Sequence, residues 1–176
     1  AMLAFALRDT GIPLVLVGHT PDPGYAELVR RIGGGNVTFC GRLPSNSEIL
    51  ASAYAGARVF CLPSWAEGAS LAALEAAAAG CRLVLSNRSS ELEYFGAHAR
   101  YIDPLDPESI RQAVLTACAE GMSDSTSTDR QPLSLESGWH AHATDTLAAY
   151  RRALDARRRA QVPAPPVGQP ALIDLG

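Results

Sequence analysis

Short apolar runs recur along the chain at residues 14–17, 37–40, 59–62 and 83–85, with a weaker one at 100–102, each bounded by glycine, proline or polar clusters. Runs of this length without polar alternation fit strands covered on both faces. Helical stretches separate them at 24–32, 47–55 and 70–79, and a further one at 107–120 follows the last run. Strands alternating with helices of this size predict a Rossmann-like, doubly wound α/β domain built on a parallel sheet. The punctuation agrees. Pro107 directly after Asp106 suits a cap and first helical turn, and Gly80 stands where a left-handed residue would end the alanine-rich helix.

The two ends depart from that plan. The first eight residues read as a helix leading straight into the strand at Leu14, whereas a doubly wound sheet begins with a strand that carries a phosphate-binding turn behind it. The expectation is therefore a domain over 1–120 that lacks its first strand; a shorter sheet that never had one is the alternative. Residues 121–136 are rich in Ser, Thr and Asp without a period and read as a loop. A last helix of the same domain is expected within 137–160, with Leu147, Tyr150 and Leu154 on one face, and the proline-rich residues 161–176 read as a flexible tail.

Composition narrows the function. The 176 residues are 47% apolar and carry a net charge of −3, enough for one core of ordinary domain size. All fifteen basic residues are arginine, so the chain has no lysine for any mechanism that needs one. An acidic chain without a dense basic face is a poor counterion-releasing partner for nucleic acid, and none is expected. Cys40, Cys61, Cys81 and Cys118 form no close pair and read as free thiols, three of them in runs that look like buried strands. No metal site is expected, and no apolar run approaches the roughly 18 residues that span a bilayer. These features predict a soluble cytoplasmic domain. Five arginines at 151, 152, 157, 158 and 159 suit a solvated helix end, or contact with an anionic membrane face.

Chemistry concentrates in Pro63-Ser64-Trp65-Ala66-Glu67-Gly68-Ala69-Ser70-Leu71-Ala72-Ala73-Leu74-Glu75, which follows a strand and opens a helix. Open α/β sheets bind ligands at that end of their strands. Gly68 permits a tight turn and close approach, while the amides of Ala69, Ser70 and Leu71 at the helix start suit a phosphate. Glu75 lies in a helix of alanine and leucine that reads as packed on the sheet. A carboxylate buried there would need donors, which the two hydroxyls of a ribose would supply, though a helix-forming glutamate facing water is an equal reading. Glu67, in the loop, is placed to hydrogen-bond a sugar beyond the phosphate.

Pro63-Ser64, Glu67-Gly68 and Glu75 form an E-x7-E pattern followed by alanines and Gly80, and this resembles the carboxyl-terminal domain of retaining GT-B glycosyltransferases of group 1, the mannosyltransferase and glycogen-synthase-like family. The segments 14–18, 37–43 and 57–64 resemble that family's strands. Ser89-Ser90-Glu91-Leu92-Glu93 and Tyr101-Ile102-Asp103-Pro104 resemble later segments, and Ser137-Gly138-Trp139 with Tyr150 resembles its ending. The resemblance implies transfer of a sugar from a nucleotide-sugar to an acceptor glycan or lipid-linked sugar, with retention at the anomeric carbon and with neither metal nor cofactor. It implies that Glu67 is the catalytic contact to the donor sugar and that Glu75 holds the ribose. Ser64, Gly68, Ala69, Ser70 and Leu71 would face sugar and pyrophosphate, Gly18 would approach the phosphates, and Gly41, Arg42 and Leu43 would border the base.

Ala69 and Ser70 stand where the family has an aromatic residue and a glycine. The family's arginine and lysine behind the first strand, and its acceptor-holding amino-terminal domain, have no counterpart here. The expectation is a donor-binding half that is inactive by itself, since removal of a leaving-group clamp costs several kcal/mol of transition-state stabilisation. A GT-B nucleotide-sugar epimerase half and a non-catalytic nucleotide-binding or interaction domain are the alternatives.

Overall fold

The computed structural model describes residues 1–120 and 139–160; the expected loop at 121–136 and tail at 161–176 lie outside them. Helix α1 (Met2–Leu7) leads into strand β1 (Leu14–Val17), as expected, and is followed by α2 (Pro23–Gly33), β2 (Val37–Gly41), α3 (Glu48–Gly56) and β3 (Val59–Leu62). Then come α4 (Leu71–Ala78), β4 (Arg82–Ser86), α5 (Glu91–Phe95), β5 (Ala99–Ile102) and α6 (Pro107–Glu120). Side-chain caps explain why these boundaries sit close to the predicted ones. Asp22 accepts the amides of Gly24 at 2.8 Å and Tyr25 at 3.1 Å ahead of α2. Ser47 accepts the amide of Leu50 at 3.2 Å, and Asp106 that of Glu108 at 2.9 Å. Gly80 has φ +80°, the left-handed geometry expected of it. Only α5 has no counterpart in the apolar pattern.

Every strand pairing is parallel. Leu14 lies opposite Val37 and Leu16 opposite Phe39; Val59 faces Arg82, and Leu83 faces Ala99. The strands nevertheless form two ladders rather than one continuous sheet, β2-β1 and β3-β4-β5. Among the described residues no strand lies between β1 and β3, so each keeps one open edge.

β4 organises the packing, with Val84 and Leu85 fully buried. On one face Val84 and Ile102 pack with Ala6 and Leu7 of α1 and with Ile110, Val114 and Ala117 of α6. On the other, Leu83 and Leu85 pack with Ala73, Ala76 and Ala77 of α4 and Phe95 of α5. Helix α1 also packs on α2. The close approach shows at Gly33, where a Cβ would stand 3.2 Å from that of Ala4 and would collide with the side chain of Val37. None of the four cysteines forms a disulfide. Cys40 departs from the buried reading: it is exposed, because that face of β1 and β2 is uncovered and also shows Val15 and Val17.

Helix α7 (Trp139–Ala160) belongs to a separate compact unit, with Leu147, Tyr150 and Leu154 exposed. No described helix is long and apolar enough to cross a membrane.

Candidate functional site

Parallel strands end on one rim of their sheet, and the loops beyond β3, β4 and β5 meet there. The loop at 63–70 is held from both sides. Ser64 donates its hydroxyl to Glu67 Oε1 at 2.7 Å, which fixes the half-buried carboxylate within its own loop. From the loop beyond β4, the Ser90 hydroxyl donates to the carbonyls of Glu67, at 3.1 Å, and of Gly68. Gly68 and Ala69 are exposed, as is Leu71, whereas Ser70 is buried. Ser70 caps α4 by accepting the amide of Ala73 at 3.3 Å. The amides of Leu71 and Ala72 keep no acceptor inside the helix, since the first turn of any helix lacks one. A small anion suits that position through these donors and the helix dipole.

Of the two readings open for Glu75, the structure shows the exposed one. Helix α4 buries Ala73, Ala76 and Ala77, positions three and four apart, and this turns Glu75 to the exposed side. It is not left bare, because Tyr54 of α3 donates its hydroxyl to Glu75 Oε2 at 3.0 Å. Burial and then the Glu75 hydrogen bond and charge push the Tyr54 phenol up to about 12. Oε1 of Glu75 remains open to a second donor.

Gly18 and Gly41 close β1 and β2 on the other sheet. The Gly18 amide donates to the Gly41 carbonyl at 2.9 Å, and both glycines have positive φ, +149° and +70°. Arg42 is exposed and Leu43 half-buried beyond them. The structure thus groups Ser64, Glu67, Gly68, Ala69, Ser70, Leu71 and Glu75 on one sheet and Gly18, Gly41, Arg42 and Leu43 on the other. Among the described residues, no three His, Cys, Asp or Glu side chains gather as a metal site.

Three partners escaped the sequence reading. Ser90 clamps the loop from 23 residues away, and Tyr54 reaches Glu75 across 21. The third is Arg88, which forms a bidentate pair with Asp103 at 3.1 and 3.2 Å and lies over the exposed Trp65 ring at 5.3 Å. The Arg88 hydrogen bond is the main reason why the Asp103 carboxyl lies below its ordinary range. Only the Ser89-Ser90 segment of the resemblance signalled any of these partners in advance.

Comparison with known proteins gives concordant matches. The sequence pattern of the family described as "Glycosyl transferases group 1" matches residues 3–120. O-antigen chain mannosyltransferase B of Escherichia coli is 32% identical over 143 residues, 79% of this chain and 37% of that protein, so the chain spans little over a third of this relative. Among solved structures, sucrose-phosphate synthase from Thermosynechococcus elongatus superposes with a TM-score of 0.65 at 25% identity, over 88% of this chain and 42% of that one. The catalytic domain of cholesterol-alpha-glucosyltransferase from Helicobacter pylori shares the fold with a TM-score of 0.56 at 19% identity, over 69% of this chain and 77% of that one.

Proposed function

Because the chain belongs to the group 1 glycosyl transferases, a GT-B family with a Rossmann-like α/β domain, we propose that it is the donor-binding half of a retaining enzyme that moves a sugar from a nucleotide-sugar to an acceptor. The observation that carries this reading is the loop at 63–70: pinned by Ser64 and Ser90, it holds Glu67 beside a helix start with unpaired amides. In this reading the amides of Leu71 and Ala72 bind the diphosphate, and the bend at Gly68 and Ala69 lets the donor sugar approach. Glu67 Oε2, the oxygen that Ser64 leaves open, accepts from a sugar hydroxyl. Glu75 Oε1 accepts from a ribose hydroxyl, with Tyr54 holding the other oxygen. Gly18 approaches the phosphates, and Gly41, Arg42 and Leu43 border the base.

Transfer needs positive charge against the departing diphosphate. Arg88, which lies over Trp65 of the loop, is engaged by Asp103, and there is no lysine. In this reading the leaving-group charge is that of the family's arginine and lysine behind the first strand of this domain, the acceptor site is that of the family's amino-terminal domain, and the acceptor is a glycan or lipid-linked sugar. Arg151, Arg152, Arg157, Arg158 and Arg159 support peripheral contact with an anionic membrane face, and four cysteines outside any disulfide fit a reducing, cytoplasmic setting.

Titration of the chain with nucleoside diphosphates tests the proposal. Binding that weakens by about 10-fold in Glu75→Ala, the worth of one charged hydrogen bond, supports it, and no sugar transfer or donor hydrolysis is expected from the chain alone. Binding indifferent to Glu75→Ala, or turnover by the chain alone, would count against it.

A further inference from the structure

The amino ends of β3, β4 and β5 form the rim opposite the candidate donor site, and arginines gather there. Arg58 directly precedes β3, Arg82 opens β4 and Arg100 is the second residue of β5. Side chains alternate across a strand. Val84 packs on the α6 side of the sheet, so Arg82, two residues earlier, belongs to that side, as does Arg100, which lies opposite Val84. Ala117 of α6 packs in the same cluster, and Glu120 at the end of that helix forms an ion pair with Arg100. A recess of about 270 Å³ opens between these elements, lined by Arg82, Ala97, His98, Arg100 and Glu120.

Three observations separate this recess from an ordinary solvated edge. Arg82 is half-buried, yet it forms no ion pair among the described residues. A guanidinium partly withdrawn from water gains from an anion that meets it. Arg58 and Arg82 also converge. Burial raises the Cys118 pKa, and the charges of Arg58 and Arg82 both pull it down, so the two cations act at one point of α6. The third observation is the charge balance. Glu120 and the roughly half negative charge at the carboxyl end of α6 leave three arginines in excess by about one and a half charges. The chain as a whole carries −3, so this excess is local. A phosphate monoester carries about −1.5 to −2 at neutral pH, and a guanidinium offers its oxygens paired donors.

We propose that this recess is a second anion site, separate from the donor loop, and that it takes a small phosphate monoester. Arg82 meets the phosphate first, because no carboxylate competes for it, and Arg100 meets it while keeping Glu120 as a partner. His98 adds a ring nitrogen at the mouth. The volume lies below the roughly 300–1,000 Å³ of pockets that enclose drug-sized ligands, so a phosphate on a short carbon body fits and a whole nucleotide does not. A nucleic acid is the wrong guest as well, since its grip needs a run of phosphate contacts that one compact cluster does not offer. The inference does not depend on the donor reading, because the two rims lie at opposite ends of the same strands.

Titration of the full chain with glycerol phosphate at low ionic strength tests the site, with binding followed through amide shifts in nuclear magnetic resonance spectra. Shifts are expected at Arg82 and from Ala97 to Arg100. Affinity is expected to fall by ~10-fold or more in Arg82→Gln, the worth of a charge-assisted hydrogen bond. A comparable fall is expected in Ala97→Glu, which sets a carboxylate at the recess and deletes no side-chain contact of the cluster. Nucleoside diphosphate binding, measured separately, should be the same in both variants and the parent chain. Shifts confined to residues 67–75 overturn the proposal, as does equal affinity in the parent and Ala97→Glu. Displacement of glycerol phosphate by an equal concentration of chloride reduces the recess to counterion attraction and also overturns it. Binding to vesicles containing phosphatidic acid, with none to glycerol phosphate, assigns the arginines to a lipid headgroup and overturns the small-molecule site.

Discussion

Glu91 is 1% exposed, and its two oxygens are treated differently: Oε2 accepts from Ser89, while Oε1 is buried with no hydrogen-bond partner. A buried acceptor without a donor costs about 1–3 kcal/mol, and replacing it with an apolar group of similar shape recovers much of that cost. Glu91→Leu is therefore expected to raise the unfolding free energy by about 1–3 kcal/mol, measured by urea denaturation, because the half-exposed Ser89 can turn to water. A fall in stability would contradict this. The residue scale is also where the sequence was hardest to read. Nothing in the sequence marks Glu91, in a polar segment, as buried, and for Glu75, in the alanine helix, the buried and exposed readings stood equal until the structure showed it exposed. In α4, alanine occupies buried and exposed positions alike, so no contrast marks its inner face. Glu67 was easier, because its partner Ser64 is three residues away.

Between elements, the contact of α3 with α4 carries a titratable hydrogen bond. Tyr54 has its phenol raised from 10 to about 12, first by burial and then by Glu75. A raised pKa in the folded state means that the neutral phenol is the form stabilised there. Its contribution is complete below pH 10 and is lost as the pH climbs from 10 towards 12. Ultraviolet titration should show one tyrosine ionising near 12. In Glu75→Gln that midpoint should move part of the way back towards 10, since burial, the larger cause, stays in place. An unchanged midpoint would remove Glu75 as a cause. Element boundaries were legible for a related reason of locality. Asp22, Ser47, Ser70 and Asp106 each cap a helix within a few residues of themselves. The five-residue α5 has too few turns to show a period, and the Tyr54–Glu75 and Ser90–Glu67 contacts join residues more than twenty apart.

At the scale of the whole molecule, apolar runs announce strands but not their neighbours, so five strands could be expected correctly while the division into two ladders remained hidden. That division governs how the protein opens. No residue of β1 or β2 is buried, whereas Leu83, Val84, Leu85 and Ser86 of β4 all are, and β4 feeds both apolar clusters. Opening β4 breaks both clusters at once and requires global unfolding. Opening the β1-β2 ladder with α2 breaks chiefly the packing of α2 on β2 and on α1, helices whose buried members include Ala4, Ala26 and Val29. Local stability follows buried apolar contact, so the two ladders should exchange through separate openings. Native-state hydrogen exchange at low denaturant should then give β1 and β2 amides an opening free energy clearly below that of β4, with the two values converging only as denaturant approaches the global transition. One common value in water would mean that α1 couples the ladders fully.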